Sequence, residues 1–137
     1  MKLWHGTSTR YIERILDEGL RPDTSCYGHV CLSSDAELSR YFGSEMAAWE
    51  KGEMVLLSMD LDDLDADSLC HEMGWIGNSL DQDDGEACLG GTPSEMLERH
   101  KVVGYRKTIQ PALLRLEEAP EWVREKAASA ADAPAGP

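Results

Sequence analysis

The segment Met54-Val55-Leu56-Leu57-Ser58-Met59-Asp60-Leu61 is apolar at nearly every position, with Gly52 just before it and acidic sequence from Asp60 to Asp67 at its end. A run this short and this apolar reads as a strand, apolar enough to be central in a sheet. Any fold open to the chain must build that sheet around residues 54–61. Upstream, Leu3-Trp4-His5 reads as a short strand with a turn at Gly6. Tyr11, Ile12, Ile15 and Leu16 recur at helical spacing, with Thr7, Ser8 or Thr9 as cap and Gly19 as stop. Val30-Cys31-Leu32 is a brief strand. Ser34 and Glu37 have capping-box spacing, which predicts a second helix carrying Leu38, Tyr41, Phe42 and Trp49 towards the core and ending at Gly52.

Downstream, His71 to Gly85 is rich in Gly, Asn, Ser and Asp and reads as a long loop anchored by Trp75 and Ile76. Ala87-Cys88-Leu89 is a short strand and Gly90-Gly91 a turn. Thr92 caps a short helix with Pro93 at its first position and Glu95 closing the box. Val102 to Ile109 is a strand, after which Leu113, Leu114 and Leu116 pack on the body. Ala127 to Pro137, an Ala/Pro/Gly tail, is expected to be disordered. The order of elements implies an α+β domain with helices outside a split, largely antiparallel sheet. The expected organisation is a domain over residues 1–118 and a flexible C-terminal extension over 119–137.

With 137 residues the chain fits one hydrophobic core. Acidic residues outnumber basic ones 26 to 13, a formal charge of −13, which disfavours general binding to nucleic-acid backbones. Arg99, His100, Lys101, Arg106 and Lys107 are the candidates for a local basic patch. No stretch approaches the roughly 18 apolar residues of a membrane span, so a soluble, cytoplasmic protein without membrane contact is expected. Cys26, Cys31, Cys70 and Cys88 include no CxxC pair. They are read as reduced thiols, and no metal is expected, although His29 between Cys26 and Cys31, with Cys70-His71, supplies zinc-type donors.

His5-Gly6-Thr7 sits where the first strand gives way to the first helix. Glycine there admits a ligand to the backbone, a helix N-terminus favours anionic groups, and His5 offers a hydrogen bond to a sugar or base. Three blocks, in order, carry a resemblance. They are Leu3-Trp4-His5-Gly6-Thr7-Ser8 with Ile15-Leu16-Asp17-Glu18-Gly19-Leu20, then His29-Val30-Cys31-Leu32-Ser33 with Ala36-Glu37-Leu38-Ser39-Arg40-Tyr41-Phe42, and finally Glu86-Ala87-Cys88-Leu89-Gly90-Gly91-Thr92-Pro93. Over residues 3–109 the chain resembles the ADP-ribosyltransferase superfamily, in particular its poly(ADP-ribose) polymerase-like branch and bacterial rifampin- and DNA-modifying transferases.

The resemblance implies NAD as substrate and an ADP-ribosyltransferase activity that releases nicotinamide, with a protein, nucleic acid or small molecule as acceptor. It implies that His5 bonds the adenosine-side ribose, the Gly6 backbone holds the nicotinamide amide, and Tyr41 stacks on the nicotinamide ring. Thr7 and Ser33 complete the implied cofactor-binding set. Glu86 bonds the nicotinamide ribose and orients the acceptor. A carboxylate there suits the chemistry, because cleaving the nicotinamide–ribose bond builds an oxocarbenium-like cation, and it can also take a proton from the nucleophile. The family's strand tyrosine falls at Cys31, with Tyr27 in the preceding loop as candidate replacement. Asp84 reads as loop acidity. Alternatives on a related fold are an RNA 2′-phosphotransferase-like enzyme, an NAD glycohydrolase and a non-catalytic module binding a nucleotide or protein. Acceptor choice lies in loops, so toxin, modifying enzyme and regulator all stand.

Overall fold

A computed structural model describes residues 1–25, 27–73 and 91–132, with the backbone alone for 130–132. Ten regular elements follow one another: β1 (Lys2–Ser8), α1 (Thr9–Glu18), β2 (Val30–Ser33), α2 (Ala36–Glu50), β3 (Met54–Asp60), β4 (Leu69–Cys70), α3 (Pro93–His100), β5 (Val102–Tyr105), β6 (Arg115–Glu118) and α4 (Glu121–Asp132). The strands form one open six-stranded sheet in the order β4-β5-β2-β1-β3-β6, and every neighbouring pair is antiparallel. The fold is α+β, as expected, but the sheet is continuous rather than split. Its narrowest join is between β1 and β2, which share the single register pair Trp4↔Ser33. By contrast, β1 pairs with β3 over its whole length, from Lys2↔Asp60 to Ser8↔Met54.

The apolar run expected at 54–61 forms β3 as far as Asp60, buried from Val55 to Met59. Alternation divides its side chains between the two faces. Val55, Leu57 and Met59 join Leu3, Ile12, Ile15, Leu32, Val103 and Val123 in the main core. On the opposite face the register sets Gly6 beside Leu56, and α2 packs there. The central pair is β2 and β1, with β3 one place further out. Its outer neighbour is β6, whose sequence Arg-Leu-Glu-Glu lacks an apolar alternation and suits an edge strand.

Local signals account for most helix ends. Ser8 Oγ accepts from the Arg10 N–H, and Gly19 closes α1 at φ 86°, its N–H bonding the Ile15 carbonyl. Thr92 Oγ1 accepts from the Glu95 N–H at 3.1 Å, with Pro93 at the first turn of α3. The cap of α2 is Asp35, not Ser34: its Oδ1 accepts from the Glu37 N–H at 3.0 Å.

The buried face of α2 also differs from expectation. Ser39, Gly43 and Ala47 face inward, four residues apart, while Tyr41 is 59% and Trp49 85% exposed. The cause is how closely α2 approaches β1. A Cβ on Gly6 would lie 1.9 Å from the Ser39 carbonyl oxygen and 2.9 Å from the Gly43 nitrogen. Only small side chains fit such a contact, so the aromatic residues turn outward.

Within residues 119–132, α4 packs against the body. In α4, which continues to Asp132 through the expected start of a disordered tail at Ala127, Val123 is fully buried. Lys126 pairs with Glu13 of α1. Among the described residues no helix is long and apolar enough to cross a membrane.

Candidate functional site

Beyond Trp4, β1 and β2 have no further register pair, and two cavities open along this seam. The larger, about 460 Å³, is reached from the α1 side and is lined by His5, Thr7, Tyr11, Ile15, Tyr27 and Glu72 among others. The smaller, about 320 Å³, lies towards α2 and is lined by Gly6, Ser33, Ser39 and Phe42 as well as His5, Tyr27, Cys31, Met46 and Glu72. Both volumes fall within the range of small-ligand sites.

His5 lies inside β1, opposite Leu57, not at the start of a helix. Its Nδ1–H donates to the Cys31 carbonyl oxygen across the seam at 2.6 Å. A carbonyl offers no proton, so this contact fixes the tautomer and leaves Nε2 as an acceptor. Burial lowers the His5 pKa from 6.5, and the bond to Cys31 opposes this only in part. At neutral pH the site therefore presents an uncharged imidazole.

That shift has a measurable consequence. Below pH 6.5 the unfolded chain binds a proton that the folded chain resists, so the stability contributed by His5 is complete above 6.5 and lost as pH falls through the lowered folded value. Asp60, Asp65 and Glu117 have carboxyls held below 3.8, 3.8 and 4.5 respectively, so their contributions vanish at lower pH. The wild-type melting temperature is expected to fall between about pH 7 and about pH 5.5. In His5→Asn, which keeps an N–H donor without the titration, the slope should be shallower. Parallel slopes in wild type and variant would contradict the assignment.

The other expected site residues are placed unequally. Gly6 lines the smaller cavity, yet its lack of a side chain is explained by the backbone of α2, not by ligand approach. Thr7 lines the larger cavity, its Oγ1 3.7 Å from Met46 Sδ. Ser33 is buried and already engaged: its Oγ donates to the Lys101 carbonyl at 2.6 Å and accepts from the Asp35 N–H at 2.9 Å. Its proton is thus committed to holding β2 against the end of α3. Tyr41 points outward and meets Phe42 edge-on, with ring centroids 5.7 Å apart. Phe42, not Tyr41, lines the cavity. Tyr27 lines both cavities and stacks on His29 at 6.0 Å with the rings 16° apart.

Glu86, Asp84, Cys88, Trp75 and Cys26 lie outside the described residues. Both flanks of residues 74–90 are described. The Met73 N–H donates to His29 Nε2 at 3.0 Å, and His71 Nε2–H donates to the Gly91 carbonyl at 2.5 Å.

Two residues that sequence reasoning did not assign to the site are built into its wall. Glu72, only 6% exposed, lines both cavities. The Cys31 thiol is its hydrogen-bond partner. Burial first, and the Glu72 charge second, push that thiol far above its ordinary pKa of 9.0, so Cys31 is no nucleophile. His29 is equally buried, with Nε2 3.7 Å from Glu72 Oε1. Its Nδ1 makes no hydrogen bond. Gly104 makes room for this group. It pairs with Cys31 on one side and Cys70 on the other, and a Cβ there would lie 2.7 Å from Cys70 Sγ and 2.9 Å from His29 Cγ. Two strand spacings separate the two cysteine backbones, about 10 Å, which is too far for a disulfide. Among the described residues no group of three or more His, Cys, Asp or Glu stands close enough to hold a metal ion.

No protein-family model matches this chain, and no curated protein matches it either.

Proposed function

We propose that the chain is an NAD-dependent ADP-ribosyltransferase that cleaves the nicotinamide–ribose bond and passes ADP-ribose to an acceptor. The observation that carries this reading is His5. Its Nδ1–H is held by the Cys31 carbonyl, so an uncharged ring offers Nε2 as acceptor where β1 and β2 part above the two cavities. A ribose hydroxyl is the natural donor to such a nitrogen. In this reading Tyr27, which lines both cavities, supplies the ring face that the resemblance assigned to Tyr41, and Phe42 lines the smaller cavity with it. Thr7 borders the larger cavity, while Ser33 is left with lone-pair capacity only. Glu86 stabilises the sugar cation as nicotinamide leaves.

The arginines of the larger cavity are engaged with carboxylates. Arg14 is paired with Glu18 at 3.0 Å, and Arg21 with Glu18 and Asp23 at 3.2 and 2.5 Å.

A ligand bound by the folded state alone raises its stability, by about 2.7 kcal/mol at one hundred times its dissociation constant. NAD is therefore expected to raise the melting temperature by several degrees, and His5→Ala to remove most of that rise while remaining folded. The check is a melting series against NAD concentration for both proteins. An unchanged NAD response in His5→Ala would take His5 out of the binding site.

A further inference from the structure

Two large aromatic side chains of α2 contribute little to the core. Tyr41 is 59% and Trp49 85% exposed. They share the solvent face of the helix with Glu37, Ser44, Glu45 and Ala48, all exposed. Residues 41, 44, 45 and 48 stand at i, i+3, i+4 and i+7, the four corners of the hole that receives one side chain of a facing helix. Ser44 and Ala48 are small, so this hole is open, with Tyr41 at its N-terminal end and Trp49 beside its C-terminal end. The face is also acidic. Glu37 and Glu45 are its charged residues, and Arg40, at its edge, is engaged by Glu37 and Glu118. The last turn of α2 holds no basic residue, and Lys51 follows as the left-handed cap beyond the helix, with Glu50 and Glu53 to either side in sequence. Carboxylates and the negative end of a helix beside exposed aromatic rings favour cations.

We propose that the solvent face of α2, from Glu37 to Trp49, docks a basic amphipathic helix of a partner protein. An apolar side chain of that helix fills the hole at residues 41, 44, 45 and 48. Flanking Lys or Arg side chains lie over the rings of Tyr41 and Trp49 and against Glu37 and Glu45. Tyr41 and Trp49 are eight residues apart, about 12 Å along the axis, so two to three turns of a partner cover the face. Exposed Trp and Tyr are the residue types that carry most of the energy of such contacts. Charge selects the occupant. Nucleic acids and membrane surfaces carry the same sign as this face. A second copy would bring a formal charge of −13 against −13 and, across a two-fold axis, set the same acids against themselves. The inference is independent of the NAD reading. It follows from the close approach of α2 to Gly6, which leaves room for small side chains only on the inner face and turns the aromatic ones outward.

The probe is a fluorescently labelled designed helix with leucines along one face and arginines flanking them, titrated with the full chain at physiological salt and read by anisotropy. Two further peptides separate docking from plain charge attraction: the same residues in scrambled order, and the same helix with glutamate in place of arginine. Wild type is expected to bind the basic helix at least about tenfold more tightly than either. Trp49→Ala should weaken that binding at least about tenfold, and Ala48→Lys, which fills the hole and adds a like charge, by a similar factor. Both positions are exposed, so the two variants are expected to melt within a few degrees of wild type. Trp122→Ala, which removes an exposed tryptophan from α4, should leave the affinity within about twofold. No binding of the basic helix, equal binding of the scrambled peptide, or unchanged affinity in Trp49→Ala and Ala48→Lys would overturn the proposal. Sedimentation of the chain alone is expected to show no self-association through this face. A dimer that dissociates in Trp49→Ala would make a second copy the occupant and overturn the basic partner.

Discussion

Glu86→Gln is expected to bind NAD within a few-fold of wild type and to release nicotinamide more slowly by about 10²–10³. The substitution preserves shape and one hydrogen-bonding oxygen but removes the negative charge that the proposed mechanism sets against the developing sugar cation. A group that acts on charge present only in the transition state changes turnover, not ground-state affinity. The pattern to look for is thus a large fall in kcat with KM almost constant. Asp84→Asn, two residues away, is expected to have a mild effect, because the proposed mechanism gives it no role. Equal rates in wild type and Glu86→Gln would remove Glu86 from the mechanism.

The second large effect concerns the fold. In Gly6→Ala the new methyl would sit 1.9 Å from the Ser39 carbonyl oxygen and within 3 Å of the Gly43 nitrogen. Both are backbone atoms inside a helix, so no side-chain rotation relieves the clash and α2 has to move off the sheet. Forced overpacking of this kind costs at least about 3 kcal/mol, which corresponds to a fall in melting temperature of about 10 °C for a domain of this size. Gly28→Ala is the contrast. Nothing lies within 4 Å of a Cβ there, and only the positive φ of 74° opposes it, a cost of about 1 kcal/mol. Thermal melts of the two variants side by side test whether close approach or backbone conformation makes a glycine indispensable. A Gly6→Ala protein as stable as Gly28→Ala would contradict the packing described between β1 and α2.

The elements legible in the sequence are those whose signals are local. The Ser8 cap and Gly19 stop bracket α1, Thr92-Pro93 opens α3, and an apolar run too short for a core helix is β3. Elements fixed by their neighbours were not legible. β4 has two residues, and β6 carries charges because it is an edge. The inward face of α2 is dictated by Gly6 on another element, so hydrophobicity alone named Tyr41 and Trp49 where the fold uses Ser39, Gly43 and Ala47. The same distinction applies to the site. His5, Gly6, Thr7 and Ser33 sit close together in sequence or on paired strands, and all border the cavities. Glu72 and His29 are not legible as cavity wall: the room for His29 depends on Gly104 lying between Cys31 and Cys70, a register that no single segment encodes. The only sequence trace was the cluster of His and Cys around them, which was weighed for zinc and not for a cavity wall.

The central claim is cleavage of NAD at this seam, and its most direct test is incubation of the purified chain with NAD labelled in its adenosine half, in the presence of cell lysate, with nicotinamide quantified in the same sample. The account predicts nicotinamide release that is lost in Glu86→Gln, with the label transferred to an acceptor. Release of equal amounts of nicotinamide and free ADP-ribose, with no labelled acceptor, would make the chain a glycohydrolase. NAD left intact by folded wild-type protein would contradict the account.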